Sequence, residues 1–255
     1  NDGIANGSTV TSEAFAVDTT VPTISTRQTV DFDGDGYIDA MNISFPENID
    51  DTYVSVAHFA IAGATGLAFE STTNSDTADD NDIYITFTDG VLLTDSTTTL
   101  TYTAGTLVDL AGNALASNGP TASTDGARPA ILSAVASDET NAILGIDDDD
   151  TVTIIFSEDT NKPTINAGNI NVAMDLSNSH SWLDGGSGIT SATWTNSTTL
   201  VITLRDTTSD PDIAVGDTIT LDGPTITDEL NNATTVVSPA ITGTFTGAIA
   251  PVATI

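Results

Sequence analysis

Short runs in which every second residue is apolar recur along this chain, while apolar stripes at the three-to-four spacing of a helix face are nearly absent. Met41, Ile43 and Phe45 alternate with Asn42 and Ser44, and Val152, Ile154 and Phe156 form a second such run. Ile83, Ile85 and Phe87 make a third, Leu200, Ile202 and Leu204 a fourth, and shorter runs carry Leu100 with Tyr102 and Ile219 with Leu221. Successive strand side chains point to opposite faces, so each run predicts a strand with one face in a core. The expected fold class is all-β.

The runs also repeat. The Met41 run precedes the Val152 run by 111 positions, and Phe59 with Ile61 falls on Ile170 with Val172 at the same offset. The Ile83 run precedes the Leu200 run by 117, and Leu100 with Tyr102 precedes Ile219 with Leu221 by 119. An offset that grows in steps is expected when loops lengthen and strands stay put. The chain therefore reads as two copies of one unit, residues 19–125 and 126–247. Strands of this number and spacing predict a β-sandwich in each.

Turn-forming residues mark the ends of the copies. Asp109 to Asn113 is followed by Pro129, and Asp2 with Asn6 is followed by Pro22 at the same spacing. Asp228 and Asn232 are followed by Pro251. Residues 1–18 thus read as the tail of a preceding copy, and 248–255 as the start of a following one or a linker. The joints, Val17 to Pro22 and Thr124 to Pro129, are short, and each ends in a proline that cannot continue a sheet ladder. Such joints predict limited bending.

Composition adds a constraint. Thirty-six acidic residues face four basic ones, for a net charge of -32, yet 39% of residues are hydrophobic, enough for real cores. Thirty of the acids are Asp, a turn former and an oxygen ligand more than a helix former. A surface of this sign repels nucleic acid and anionic headgroups and attracts cations. Cysteine is absent, which excludes disulfides, thiolate metal sites and cysteine nucleophiles. No run of eighteen apolar residues occurs, so no membrane-spanning helix is expected.

The densest candidate chemistry is the run from Asp31 to Asp39. Asp31, Asp33, Asp35 and Asp39, with glycines between and the Tyr37 carbonyl, match the opening ligands of a Ca²⁺ loop. Asn42 stands where a helix–loop–helix site needs a bidentate Glu, and a strand follows, so the expectation is a calcium-binding β-turn loop. Four carboxylates this close repel unless a cation neutralises them. In the second copy, Glu139, Asp147, Asp148 and Asp150 border the Val152 strand as a second candidate, with Asp150 in the place of Asp39. By contrast, Asp76 reads as part of a plain acidic loop.

A third candidate recurs in both copies. Glu47 and Glu158 close the Phe45 and Phe156 strands, while Asp109 with Asn113 and Asp228 with Asn232 lie in the late loops. Should those loops meet at a domain end, joint acids such as Asp18 are placed to bridge neighbouring domains through calcium. The alternative is that Asp109 and Asn113 only shape a turn. An insertion near residues 175–190 carries Trp182, expected either to face a sugar or protein ligand or to pack over its own sandwich edge. Ser179, His180 and Asp184 are adjacent in sequence, which is not how catalytic triads converge, and no nucleotide, zinc or acyl-serine motif occurs.

The Asp18–Pro22 joint, the Phe156-Ser157-Glu158 strand end and the Val108–Leu115 loop resemble the tandem bacterial and archaeal Ig-like domains of large surface proteins, found in S-layer proteins and giant adhesins. The resemblance covers nearly the whole chain; Phe45-Pro46-Glu47 departs from it by its proline. It implies Ig-like β-sandwiches with Ca²⁺ held in loops and joints, an extracellular cell-surface location and no enzymatic activity. The implied role is that of a structural spacer in a lattice or stalk. The implied partners are neighbouring domains of the same chain and identical chains in a surface assembly. An adhesive module using the Trp182 loop is the alternative.

Overall fold

A computed structural model describes residues 17–73, 76–138, 145–183, 185–205, 211–221, 225–233 and 236–245. The expected preceding tail, apart from Val17 and Asp18, and the expected start of a following copy lie outside the described residues. Among the described residues, nine strands precede the Ala127–Ile131 passage: β1 Thr26–Val30, β2 Tyr37–Ile38, β3 Ala40–Ser44, β4 Phe59–Ile61, β5 Ala68–Phe69, β6 Asp82–Thr86, β7 Leu92–Leu93, β8 Thr99–Tyr102 and β9 Asn118–Ala122. After it come β10 Ile131–Ser137, β11 Thr151–Phe156, the single helical turn α1 Ile170–Ala173, β12 Met174–Leu176, β13 Ile189–Trp194, β14 Thr199–Leu204, β15 Ile219–Leu221 and β16 Thr242–Gly243. The fold is all-β.

Sheet order shows the repetition. The first half pairs β1-β3-β6-β5 and, separately, β4-β8-β9; the second pairs β13-β14-β11-β10-β16 and β12-β15. Met41 stands opposite Ile85 as Val152 stands opposite Ile202, which fixes the 111 and 117 offsets in hydrogen-bonded register. Even the closing parallel contact recurs: Gln28 bridges Thr124, and Val135 pairs Thr242.

Alternation does the work that the sequence pattern predicts. Ile83 and Ile85 in β6, Leu200, Ile202 and Leu204 in β14, and Met41 and Ile43 in β3 are all fully or almost fully buried. Each such side chain contributes about 1.5–3 kcal/mol relative to exposure. The buried apolar residues form two clusters, one running from Ile24 to Ala127 and the other from Ile131 to Phe245. Ala127 packs in the first and Ile131 in the second, so the handover occupies the few residues around Pro129.

Two expectations need correction. Phe59 and Ile61 do not correspond to Ile170 and Val172: β4 pairs Phe59 with Tyr102, and the equivalent pairing in the second half joins Met174 to Leu221. Ile170 and Val172 lie instead on α1, with Ile170 buried and Val172 exposed. A three-residue apolar alternation does not distinguish a strand from a helical turn. The second correction concerns Trp182. Its side chain is 0% exposed inside the second core, and its indole N–H donates to the Met174 carbonyl at 2.6 Å. Burial in the core leaves no ring face for a ligand, and the apolar contact area explains why the ring goes inside.

Trp182→Ala is expected to lower stability by about 3–5 kcal/mol through the cavity it leaves. Urea denaturation checks this; a loss below about 1 kcal/mol would place the ring outside the core.

Candidate metal centres

The loop from Asp31 to Asp39 turns tightly between β1 and β3. Gly34 and Gly36 adopt φ of +76° and +97°, a conformation that L side chains rarely take. The turn aims main-chain N–H groups at carboxylates. Asp31 accepts from Gly34 at 2.7 Å and Gly36 at 3.0 Å, Asp39 accepts from Phe32 at 3.3 Å, and Asp35 accepts from Tyr37 at 2.9 Å. Carboxylate oxygens of Asp31, Asp33 and Asp39 lie within 4.8 Å of one another. Ligands on opposite sides of one Ca²⁺ stand about 5 Å apart, so one ion can bridge all three. Burial pushes both Asp31 and Asp39 up to about 6, against the pull of these N–H donors.

Asp35 groups differently from the expectation. It meets Asp33 and Asp89 in a second, exposed cluster, and Asp89 comes from the β6–β7 connection, where no sequence spacing points to it. Tyr37 enters β2 in register with Leu93. Glu139 lies outside the described residues. Asp147 and Asp150 are buried at the foot of β11, where Asp150 accepts from the Asp147 N–H at 3.1 Å, and Asp148 is exposed. Among the described residues no group of three carboxylates forms around them.

The recurrent candidate is brought together twice. Asp18, Glu47 and Asp109 converge at the end of the first half away from the joint, lining an open cleft of about 310 Å³. Asp125, Glu158 and Asp228 converge at the joint, in a cleft of about 320 Å³ that Asp95 and Thr97 of the first half also line. Asp125 was not among the expected ligands; it is the joint acid that stands to the second half as Asp18 stands to the first.

Local geometry repeats atom for atom. Asp109 accepts from the N–H of Ala111 and of Asn113 and from the Asn113 side-chain amide, each at 2.8 Å. Asp228 accepts from Leu230 at 2.9 Å and from the Asn232 N–H and amide at 2.7 Å. Asn113 and Asn232 are therefore braces that orient an aspartate, and their amides donate to it. Asn113 also donates to the Asp18 carbonyl at 3.3 Å, tying the joint strand to the loop. For Asp109, burial opposes ionisation but these donors outweigh it and hold its carboxyl below the usual range.

The two glutamates lack that support. Glu158 is 3% exposed, and its Oε1 has no hydrogen-bond partner; Oε1 of Glu47 is likewise buried and unpartnered. Burial, and then the Asp125 charge, push Glu158 up to about 8. A buried carboxylate oxygen facing two more carboxylates is costly unless a cation or proton joins it. Oxygen-only donors at flexible angles, open to water on one side, fit Ca²⁺.

The joint is held by more than acids. The Thr94 hydroxyl donates to the Ser157 hydroxyl at 2.7 Å across the two halves, and Ser157 also accepts from the Ala130 N–H at 2.9 Å. Gly36 lies so close to Leu132 and Ser157 that an added Cβ would stand 2.7 Å from Leu132 and 2.9 Å from Ser157. The Asp31 loop therefore abuts the second half. His180 pairs with Asp217 at 2.7 Å, with the Ala214 N–H and Asn178 amide on the same carboxylate, which makes a loop brace. No protein-family model, curated protein or solved structure matches this chain. Among the described residues no helix is long and apolar enough to cross a membrane.

With cations chelated, the folded chain keeps Glu158 protonated up to about pH 8, whereas the unfolded chain ionises it near 4.5. The folded state binds more protons between those values, so stability is expected to fall as pH rises from about 5 to 8. Asp31 and Asp39 act with the same sign up to about 6. Denaturation midpoints in chelator measure this, and Glu158→Gln is expected to flatten the decline. A midpoint that rises between pH 5 and 8 would contradict it.

Proposed function

We propose that this chain is a calcium-stabilised structural spacer: two Ig-like β-sandwich modules of an array at the cell surface, in an S-layer or an adhesin stalk. The observation that carries the reading is the joint cluster, where Glu158 presents an unpartnered buried oxygen to Asp125 and Asp228. Asp125 belongs to the joint strand, Glu158 to the end of β11 and Asp228 to a late loop, so one ion there fixes the entry of the second module. The same trio at Asp18, Glu47 and Asp109 is what a further module before Val17 needs at its own joint. A site that recurs once per module at the module boundary suits an array whose spacing and angle matter.

Asp125, Glu158 and Asp228 supply the joint ligands in this reading, while Asp31, Asp33 and Asp39 supply those of the loop. Bound calcium supplies neutralisation and a cross-link. Asn113 and Asn232 keep their aspartates aimed. The Asp31 loop packs against Leu132 and Ser157, so ordering it also orders the boundary. The role is mechanical and extracellular, with neighbouring domains and identical chains as partners. The core position of Trp182 removes the ring on which an adhesive role rested.

Calcium at a hundred times its dissociation constant is expected to add about 2.7 kcal/mol per site. Thermal melts in chelator, in calcium, and in sodium chloride at equal ionic strength separate coordination from screening, which acts over about 8 Å at physiological strength. The expected order of midpoints is calcium above sodium chloride above chelator, with Glu158→Gln losing part of the calcium increment. Full recovery in sodium chloride would leave the acidity as a surface property alone.

A further inference from the structure

One acidic cluster lies away from the loop and from both joints, in a part of the first half that the second half does not share. Between β5 and β6 the chain runs from Phe69 to Asp82, whereas the equivalent connection, between β13 and β14, runs only from Trp194 to Thr199. The extra length carries Asp76 inward, where it is 8% exposed. Its Oδ1 accepts from the Thr77 N–H at 3.1 Å, and its Oδ2 is buried without a partner. Asp76, Asp80 and Asp82 have oxygens within 4.8 Å of one another. Asp76 was expected to be an ordinary solvated acid; the structure buries it.

A fourth acid, Asp51, lies outside that group of three but near enough for its charge to act on Asp76. Asp51 opens a short 3-10 turn, Asp51–Tyr53, and is 6% exposed with both carboxylate oxygens buried and unpartnered. The Ser71 hydroxyl and the Asp79 main-chain N–H both approach this carboxylate without completing a hydrogen bond to it. The Asp51 N–H donates to Asp79 at 3.1 Å, which fastens the turn to the long connection. None of the four basic side chains forms an ion pair with these acids. Asp76 Oδ2 and both Asp51 oxygens are buried without a full hydrogen bond, and Asp80 and Asp82 hold oxygens within 4.8 Å of Asp76, an arrangement that calls for a counter-ion held within the protein.

We propose that Asp51, Asp76, Asp80 and Asp82 form a separate site for a hard divalent cation, calcium by its all-oxygen donors, which pins the long β5–β6 connection to the Asp51 turn. The second half acts as an internal control. Main-chain bonds from Ile49 to Asp80 and from Thr160 to Ser197 align the two halves at this point. By that alignment Asp51, Asp80 and Asp82 are replaced by Lys162, Ser197 and Thr199, so acids, buried position and long connection are lost together. A solubility role accounts for exposed acids but not for burying them. Without a cation, burial and the Asp51, Asp80 and Asp82 charges push Asp76 up to about 7.

The test is a calcium titration of the full chain followed by amide chemical shifts, which respond only near the bound ion. Thr77 and Asp82 are the reporters, because their N–H groups donate to Asp76 and Asp80. Both are expected to move saturably with calcium and not with sodium chloride, while Ser197 and Thr199 stay still. In Asp51→Asn/Asp76→Asn the Thr77 and Asp82 movements are expected to vanish, with Gly34 and Gly36 moving as before. In chelator that variant is expected to melt no lower than the parent, since the amides relieve repulsion. Thr77 and Asp82 remaining still in the parent chain while Gly36 saturates would overturn the site, and so would movements that survive in the variant. Neither result bears on the joint, which Glu158→Gln reports separately.

Discussion

Folding this chain means drawing carboxylates together with almost no basic residues to meet them. Thirty-six acids against four bases leave no general scheme of ion pairing, and mutual repulsion opposes every compact state. Two kinds of arrangement relieve it. Some aspartates, such as Asp109 and Asp228, are wrapped by main-chain N–H groups and an asparagine amide, which satisfy their oxygens. Others, Glu158, Asp51 and Asp76 among them, are buried with oxygens left over. The first kind builds the loops without help; the second makes the folded chain depend on bound cations or protons.

That division explains where the second kind sits. The cores on either side of Ala127 and Ile131 are ordinary alternating β packing and need no ion. Among the described residues, several unpartnered oxygens occur where chain segments from different elements must be fixed together: at the joint, at the equivalent Asp18 cluster, and under the long β5–β6 connection. On the proposed reading, calcium acts at these boundaries, while each half keeps the apolar stability of its own core. Hydroxyl contacts such as Thr94 to Ser157 align the boundary but are too few and too neutral to balance the charge around them.

Much of this was legible in the sequence. Period-two alternation located the principal strands because each has one face in a core, and the 111 and 117 offsets are reproduced in the pairings of Met41 and Val152. The recurrence of Glu47 and Asp109 as Glu158 and Asp228 pointed to a shared site because turn chemistry and strand ends are local. What sequence could not supply was tertiary adjacency. Asp89 joins Asp33 and Asp35 only because two loops meet, and Asp76 reaches Asp80 and Asp82 only because a long connection folds inward. Asp125 did carry a signal, its equivalence to Asp18 across the repeat. The Ile170 and Val172 misalignment, and the choice left open between a ligand-facing and an inward-packed Trp182, have a common reason: short apolar patterns record what wants burial, not which element or loop achieves it.

The central claim is that a cation at Asp125, Glu158 and Asp228 fixes one module against the next. Because the chain has no cysteine, spin labels at Val91→Cys and Val172→Cys, both exposed positions, would report one distance across the joint. Pulsed electron–electron distance measurement in calcium is predicted to give a single narrow distribution, broadened by chelator and by Glu158→Gln but not narrowed again by sodium chloride. A distribution equally narrow in chelator and in calcium would contradict the account.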